Sequence, residues 1–309
     1  MLHEERVNRL VTAFIDNYKK NEPLIPLDLD MMPDREVIVE LTRLLRELLF
    51  PGYVHKKNPE TRITPHQVGN LLETIHLRLT EQIIKALCNR TRECVNSRDR
   101  RTVADSAAIT TEAKEKAFVF LEKIPDIRCI LATDVQATFD GDPSARGLDE
   151  IVFSFPGIMA ISIFRLAHEL HKLDIPIIPR IMTEYAHSRT GIDIHPAAHI
   201  GHHFFIDHGT GVVVGETAVV GNHVRIYQGV TLGALSLKAG QALAGKKRHP
   251  TLQDNVIVYS GASILGGDTI IHEGAVIGSN TFITKSVSDN TTVSNRNPDL
   301  VYTNGREKT

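Results

Sequence analysis

The chain has 309 residues, of which 42% are hydrophobic and 23% charged, a composition typical of a soluble globular protein with room for two domains. Its 35 basic and 37 acidic residues give a formal net charge of -2, which excludes a general electrostatic attraction to nucleic acid or to an anionic membrane surface. Any anion-binding site must therefore be a local feature.

The N-terminus and the cysteines both favour a cytoplasmic location. The opening sequence MLHEERVNRL carries charges of both signs and lacks the apolar stretch of a secretory signal peptide. The three cysteines are an odd number without metal-type spacing, as expected in a reducing compartment; they are Cys88, Cys94 and Cys129. The most apolar run, Ile151 to Phe164, contains a Pro-Gly pair and is shorter than the roughly 20 residues that span a bilayer. We expect this run to enter a buried helix.

Up to about residue 190 the apolar residues recur with helical spacing. The clearest segment begins at Thr64, which is followed by proline and then by Gln67, the arrangement of a capping box. Apolar residues then recur in steps of three and four from Val68 to Leu87, which predicts an amphipathic helix. Shorter patterns predict helices over Val37 to Leu49, Ala113 to Leu121 and Ile158 to Leu173. Pro176 and Pro179 disfavour a continuous helix beyond these segments and predict a joint near the end of a helical domain over residues 1–190.

After Gly191 the period of the apolar residues changes to six. The aliphatic series are Ile194 to Ile206, Val214 to Leu232, Leu252 to Ile264 and, after one extra residue, Ile271 to Ile283. Short fixed repeats with glycine at set offsets indicate a solenoid. Each six-residue repeat makes one short strand and a corner, so three repeats make a triangular coil with the aliphatic side chains stacked inside. We therefore predict an α+β chain: the helical domain, a parallel β-helix over residues 191–290, and a C-terminal tail over residues 291–309.

Two interruptions of the period predict functional loops. The step from Ile206 to Val214 is eight residues, so two residues are inserted near Asp207, His208 and Gly209. A second step of 20 residues leaves room for the loop ALSLKAGQALAGKKRHP. Insertions in a solenoid project from one face and commonly carry its function.

Several motifs of the repeat region resemble those of the serine O-acetyltransferases, which belong to the hexapeptide-repeat acyltransferase superfamily. The motifs are GIDIHPAAHIGHHFFIDHGTGVVVGETAVVG, VTLG, a loop ending in KKRHP, and LQDNVIVYSGASILGG, and the resemblance covers about residues 139–287. It implies that the β-helix is left-handed and that the chain transfers acetyl from acetyl-CoA to the hydroxyl of L-serine for cysteine biosynthesis. It also implies a homotrimer or a dimer of trimers, and no metal is expected.

Acetyl transfer to a hydroxyl needs a base that removes the hydroxyl proton as the thioester carbonyl is attacked. Histidine is the natural candidate near neutral pH. His208 lies on the first insertion beside Asp207, and Asp193 is placed to hold its imidazole in the productive tautomer. Direct transfer of this kind requires no enzyme nucleophile. The resemblance implies the same roles, with His208 as the general base and Asp193 as the residue that orients it.

The resemblance also implies the remaining contacts with both substrates. Asp207 and Asp142, the latter in a Gly-Asp-Pro turn, would bind the amine and hydroxyl of serine. Arg248 would bind its carboxylate, a role that suits the two parallel donors of a guanidinium, and His249 would lie beside the reacting hydroxyl. Acetyl-CoA would lie in a groove between subunits along small residues at the coil corners. These residues are Gly233, Ala234, Ser260, Gly261, Gly278 and Ser279.

Each of these assignments has a structural alternative. Glycine and serine at the corners also serve simply to turn the coil, and Asp142 is also suited to a turn before proline. The favoured interpretation of Lys246 and Lys247 is a solvated charge run. Nothing but proximity recommends the remaining histidines of the repeat region, so we interpret them as solvated corner residues; they include His199, His202, His203 and His223.

Three other functions remain open from the residues alone. The γ-type carbonic anhydrases use the same β-helix and bind zinc through three histidines, and sugar or antibiotic acetyltransferases share the repeat. A non-enzymatic scaffold is the third. The DHGTG and RHP motifs, with the large helical domain, favour the serine O-acetyltransferases over all three. Family members that bind cysteine synthase end in isoleucine, whereas residues 304–309 here are polar or charged, so we expect that complex to be weak or absent.

Overall fold

The computed structural model describes residues 2–21, 32–53, 64–94, 103–236, 238 and 240–296. The end of the tail predicted over 291–309, on which the cysteine synthase prediction depends, lies outside the described residues. The helices of the described part are α1 Leu2–Asn21, α2 Arg35–Leu49, α3 Pro65–Cys94, α4 Val103–Glu122, α5 Ile124–Gly141, α6 Leu148–Ser154, α7 Pro156–Lys172 and α8 Ile178–Thr190.

Local capping explains where two of the predicted helices begin. The Thr64 backbone N–H donates to Gln67 Oε1 at 3.0 Å and the Gln67 N–H donates to Thr64 Oγ1 at 3.3 Å, so the capping box before α3 is confirmed. Asp34 caps α2 by accepting from the N–H groups of Glu36 and Val37. The helix predicted from Ala113 is part of the longer α4, and α1, α5, α6 and α8 were not predicted as separate helices.

The Gly-Asp-Pro turn predicted at Asp142 begins directly at the end of a helix. Helix α5 continues to Gly141, and Asp142 is its C-terminal cap, with its N–H donating to Thr138 O at 3.0 Å. Gly141 packs against the first coil so closely that a Cβ there would lie 2.5 Å from the Phe205 ring. Contact with the coil thus places the end of this helix.

The apolar run from Ile151 was expected to enter a buried helix, and this prediction is confirmed. Helix α6 ends at Ser154 and α7 begins at Pro156, with most of α7 buried. Gly157 approaches the coil so closely that a Cβ would lie 2.5 Å from Ile206 O. Among the described helices none is by itself long and apolar enough to cross a membrane; α6 and α7 together meet that test of length and composition, but with a bend of 73° between them.

From Asp193 onward the chain forms a left-handed parallel β-helix, as predicted. The strands are β1 Asp193–Ile194, β2 His199–Ile200, β3 Phe205–Ile206, β4 Val213–Val214, β5 Val219–Val220, β6 Arg225–Ile226, β7 Thr231–Gly233, β8 Thr251–Leu252, β9 Ile257–Val258, β10 Ser263–Leu265, β11 Ile270–Ile271, β12 Val276–Ile277, β13 Phe282–Ile283 and β14 Thr292–Val293. They form sheet A (β1-β4-β7-β10-β13), sheet B (β2-β5-β8-β11) and sheet C (β3-β6-β9-β12-β14), with parallel pairing throughout.

The period of six explains this register. Ile194 pairs with Val214 and Val214 with Leu232, so each aliphatic residue lies directly over the one in the coil before it. These interior side chains are buried, apart from partly buried ones in the terminal coils such as Ile200 and Ile283. Burying one such side chain in every repeat removes a continuous apolar column from water, which stabilises the stack.

A buried ion pair connects the helices to the first coil. Arg165 on α7 donates from Nε to Asp134 Oδ2 at 2.6 Å and from Nη2 to Asp134 Oδ1 at 2.9 Å. Arg165 Nη2 also donates to Gly201 O, while Asp134 Oδ1 accepts from the Phe204 N–H. Two helices and one coil corner therefore share a satisfied, bidentate network, which fixes how the helical region lies on the β-helix.

Candidate functional site

The predicted site residues divide between two corners of the triangular coil. The C–A corner consists of the segments that lead from sheet C to sheet A, namely residues 207–212, 227–230, 259–262 and 278–281. The A–B corner leads from sheet A to sheet B and consists of residues 195–198, 215–218, 234–250 and 266–269. Sheet A lies between them. The two insertions predicted to carry function thus project from different corners.

His208 projects into solvent from the C–A corner. Its side chain is 70% exposed, and Nδ1 lies 3.7 Å from Oδ1 of Asp207, whose side chain is only 15% exposed. The turn requires glycine at the next position, because Gly209 has a φ of 85° and a Cβ there would lie 2.4 Å from Ile192 Cδ1. The inserted residues therefore present an accessible imidazole beside a carboxylate.

Asp193 lies next to the same turn, because it follows Ile192 in the chain, but it does not contact His208. Its N–H donates to Val212 O at 2.9 Å as part of the coil. Within the described residues its carboxylate makes no hydrogen bond or ion pair. The orienting role of Asp193 stays a prediction.

Asp142 performs the structural role that the sequence left open for it. Its Oδ1 accepts from the Ser144 N–H at 2.8 Å, which closes the turn after α5. At the C–A corner, Tyr227 has a raised pKa because of burial, its neighbour Tyr259 and the Asp207 carboxylate, with a smaller contribution from Asp142. The two aspartates predicted to bind serine, Asp142 and Asp207, therefore both raise the pKa of Tyr227.

Sequence reasoning missed the tyrosines at this corner. The rings of Tyr227 and Tyr259 stack with centroids 5.1 Å apart. Each follows an interior aliphatic residue, and these residues, Ile226 and Val258, pair directly. The sequence signal that could have revealed them is that both tyrosines occupy the same position of their repeats, directly after the interior aliphatic residue.

His249 is held in one orientation at the A–B corner. It is 8% exposed, and its Nδ1 accepts from the Thr217 N–H at 3.1 Å and lies 2.9 Å from Thr217 Oγ1. A backbone N–H is always a donor, so Nδ1 carries a lone pair and the proton of the neutral ring is on Nε2. Burial and the charge of Arg248 lower the pKa of His249 to about 4, so the ring is neutral near pH 7. Its Nε2 is thus a hydrogen-bond donor.

Thr217 and Gly215, which the sequence analysis did not single out, create this orientation. Thr217 Oγ1 accepts from the backbone N–H groups of Arg248 and His249 at 2.9 and 3.1 Å. A Cβ on Gly215 would lie 2.0 Å from His249 Cδ2 and 2.2 Å from Nε2, so no larger residue fits beside the ring. The GET segment of one coil thereby holds the RHP end of the long loop.

Arg248 is also engaged within this corner. Its Nη2 forms an ion pair with Glu216, and Nη1 donates to Leu243 O at 3.1 Å. The pKa of Glu216 is below its ordinary value: burial acts to raise it, but the hydrogen bond and charge of Arg248 outweigh that effect. The guanidinium that was expected to bind a substrate carboxylate thus already has one protein carboxylate as a partner.

The neighbouring Lys247 and His195 also form hydrogen bonds with backbone groups. Lys247 is exposed, as expected, but its Nζ is not bound to water alone: it donates to Thr217 O at 2.7 Å and to Pro250 O at 3.2 Å. Its ammonium satisfies carbonyls at the loop end. His195 Nδ1 accepts from the Ala197 N–H, and burial with the charge of Arg180 lowers the pKa of His195 to about 4. The A–B corner therefore holds two neutral imidazoles.

The predicted acetyl-CoA residues are also divided between the corners. Gly233 is the last residue of β7 and Ala234 is the first of the A–B corner, whereas Ser260, Gly261, Gly278 and Ser279 lie at the C–A corner. Several of the glycines have a structural reason: a Cβ on Gly261 would lie 2.2 Å from Asn280 Oδ1, and one on Gly278 would lie 2.9 Å from Val293 O. Their role toward acetyl-CoA stays a prediction.

Comparison with known proteins gives one consistent answer. No family model matches the chain. It is 42% identical over 259 residues to a plasmid serine acetyltransferase of Synechococcus elongatus, covering 83% of this chain and 79% of that one. It resembles the crystal structure of Entamoeba histolytica serine acetyltransferase 1 in complex with L-cysteine, with a TM-score of 0.69 and 36% identity over 82% of this chain and 86% of that one. It also resembles Neisseria gonorrhoeae serine acetyltransferase in complex with serine, with a TM-score of 0.53 and 25% identity over 83% and 95% of the two chains.

Proposed function

This chain belongs to the serine acetyltransferase family, and from that premise we propose that it transfers the acetyl group of acetyl-CoA to the hydroxyl of L-serine, giving O-acetylserine for cysteine biosynthesis. The observation that carries the proposal is 42% identity over 79% of a serine acetyltransferase. The fold agrees with it, because the β-helix and the helices align together with the Entamoeba structure. We also propose a cytoplasmic location, which the unpatterned cysteines support.

His208 is the proposed general base. Its imidazole is exposed enough to reach a substrate hydroxyl, and its Nδ1 lies 3.7 Å from the Asp207 carboxylate. The serine oxygen then bonds to the thioester carbon, the carbon–sulfur bond breaks, and the departing thiolate takes the proton back from His208. Asp193 is proposed to orient the imidazole in the bound complex.

His249 is proposed to donate a hydrogen bond rather than to accept the proton. Its Nδ1 lone pair is directed at Thr217, and its Nε2 already carries hydrogen. A neutral imidazole with a fixed N–H stabilises an oxygen on which negative charge develops. The division of roles between an exposed base and a buried donor follows from this difference in surroundings.

Arg248 and the aspartates are proposed to bind the amino acid itself. A guanidinium has five donors, and the contacts with Glu216 and Leu243 leave others to bind the serine carboxylate. Asp142 and Asp207 would bind the ammonium group. Because Arg248 is held by Glu216, little side-chain entropy is lost when the substrate carboxylate arrives.

We propose that the active site is formed between two chains. His208 lies at the C–A corner and His249 at the A–B corner, on opposite sides of sheet A, so one chain does not bring them together. The C–A corner of one chain can instead face the A–B corner of its neighbour. Cyclic repetition of this contact gives a homotrimer, and pairing through the helical domain over 1–190 would give a dimer of trimers. The groove between the chains would hold acetyl-CoA along residues 233–234, 260–261 and 278–279.

The proposal is tested by thiol release from acetyl-CoA with a panel of amino acids, sugars and aminoglycosides, with and without a chelator. We expect turnover with L-serine alone among these acceptors, at a rate that the chelator does not change. Turnover with a sugar or an aminoglycoside and none with serine would contradict it, as would hydration of carbon dioxide that the chelator abolishes. Light scattering that shows an active monomer would contradict the shared site.

A further inference from the structure

Three histidines meet at the third corner of the coil, the B–C corner, which consists of residues 201–204, 221–224, 253–256 and 272–275. One nitrogen from each of His202, His203 and His223 lies within 4.8 Å of the other two. Nδ1 of His202 is 2.7 Å from Nδ1 of His203, and the rings of His203 and His223 stack with centroids 4.1 Å apart. The sequence analysis treated these histidines as separate solvated residues. In the described part of the chain this is the one group of three metal-ligating side chains so close together.

The backbone under the cluster is fixed from three directions. The His223 N–H donates to His202 O at 3.0 Å, which joins the two coils, and the His202 N–H donates to Asn222 Oδ1 at 3.1 Å. Asn222 is held in turn by the Asp254 carboxylate. On the side of the helices, the His203 N–H donates to Thr133 Oγ1 on α5 at 3.0 Å. Only the imidazole side chains are free to adjust.

The electrostatics of the B–C corner favour binding of one metal cation over protonation of all three histidines. A contact of 2.7 Å between two ring nitrogens accommodates one hydrogen, so His202 and His203 cannot both be protonated there. Each additional imidazolium would repel its neighbours. Carboxylates stand around the group: Asp254 faces His202 and His223, while Asp134 and Asp140 face His203. Three imidazole nitrogens close together supply the ligand set that a divalent metal ion of the zinc type uses.

We propose that His202, His203 and His223 bind one first-row divalent cation of the zinc or nickel type. Imidazole nitrogen suits these ions, and a zinc–nitrogen bond of 2.0–2.1 Å in tetrahedral geometry requires ligand nitrogens about 3.4 Å apart. The three nitrogens are within 4.8 Å of one another. The 2.7 Å contact between His202 and His203 would have to open to that ligand spacing, and rotation of the exposed His202 and His223 rings allows that adjustment. Water would complete the coordination on the open side.

The position of this site separates it from acetyl transfer. The predicted catalytic and acetyl-CoA residues of the coil lie at or beside the C–A and A–B corners, whereas the cluster lies at the B–C corner beside α5. The ion would link the first two coils at the point where the helical region rests on them. We therefore infer a stabilising ion, bound independently of serine and acetyl-CoA.

The test uses variants that keep the backbone conformation. His203 and His223 have φ values of 56° and 57°, and the equivalent position of the next coil is Asn255 with a φ of 61°. Asparagine tolerates this region, so His203→Asn and His223→Asn remove a ligand without straining the corner. His66→Gln is the matched control, because His66 is an exposed histidine on α3 that bonds only to Asn70.

The full-length protein is stripped with a chelator, dialysed against Zn²⁺ and analysed for bound metal and for thermal unfolding. We expect one Zn²⁺ per chain with a rise in Tm, an affinity reduced at least about tenfold in both cluster variants, and no change in His66→Gln. Acetyl transfer without metal should be equal in all four proteins, which also shows that the variants fold. The proposal is overturned if wild-type protein shows no saturable binding below millimolar Zn²⁺, or if His223→Asn binds as tightly as wild type. In the latter case the ligands lie elsewhere, and inhibition of acetyl transfer by Zn²⁺ would direct attention to His249.

Discussion

The strongest test of the His249 assignment is a substitution that never touches a titratable group. Gly215→Ala adds one methyl group, and that Cβ would lie 2.0 to 2.6 Å from Cδ2, Nε2 and Cγ of the His249 ring. An ordinary contact begins near 3.4 Å, so the ring must move by about 1.4 Å. The φ of Gly215 is not in the left-handed region, so alanine strains no backbone there. The change therefore acts on the position of one imidazole.

A displacement of about 1 Å in a catalytic group costs roughly 100-fold in rate, equivalent to about 2.7 kcal/mol of transition-state stabilisation. We expect Gly215→Ala to lower kcat with serine by about that factor, since the ring also leaves its contacts with Thr217. The KM for acetyl-CoA should hardly change. Steady-state thiol release at saturating acetyl-CoA measures both quantities.

Gly69→Ala is the matched control, because a Cβ on Gly69 meets nothing within 4 Å and the residue lies on α3. It should keep wild-type kinetics, and both variants should unfold in a single transition. A folded Gly215→Ala enzyme with near wild-type kcat would refute the reasoning, because His249 would then not need its observed position. If the wild-type protein forms the proposed trimer and Gly215→Ala does not, the methyl group acts on assembly instead.

Other substitutions at the two corners, and changes of pH, give separate results. His208→Ala should lower kcat by about 100- to 10,000-fold with little change in the KM for acetyl-CoA, and Asp193→Asn should lower kcat by less; a folded His208→Ala trimer with near-full turnover would exclude His208 as the base. Arg248→Ala should raise the serine KM more than it lowers kcat, because a carboxylate contact exists in the ground state and the transition state alike; an unchanged KM would contradict that role. His195 and His249 have pKa values of about 4 in the folded protein against an ordinary 6.5, so the unfolded chain binds more protons between these values and stability should fall as pH falls from 6.5 to 4. The dependence of Tm on pH should flatten in His195→Gln, and an equally steep dependence in that variant would contradict the inferred cause.

Much of the fold could be predicted because its signals are local. The capping box at Thr64 involves residues three positions apart, and the same residues form it in the structure. The period of six from Ile194 predicts the interior of the coil, since each repeat buries the same position. Helices α1, α5, α6 and α8 were missed. Val7 and Phe14 on α1 are exposed in the described chain, and the end of α5 depends on the ring of Phe205 rather than on its own residues.

The contrast between features with local sequence signals and features that depend on distant residues is clearer at the candidate site. Asp207, His208, Arg248 and His249 were predicted as site residues from insertions and motifs, which are features of the sequence alone. Their partners were not, because Thr217 is 32 residues from His249 and its contact exists only when one coil lies over another. The chain itself determined the repeat, the direction of the coil and the residue types available for acetyl transfer. Only the tertiary structure decided which residues share a corner. Residues far apart in the sequence come together there because coils of about 18 residues stack on one another and because the long loop returns to the same corner. It thereby fixed the orientation of the neutral His249 ring and left the His208 side chain exposed.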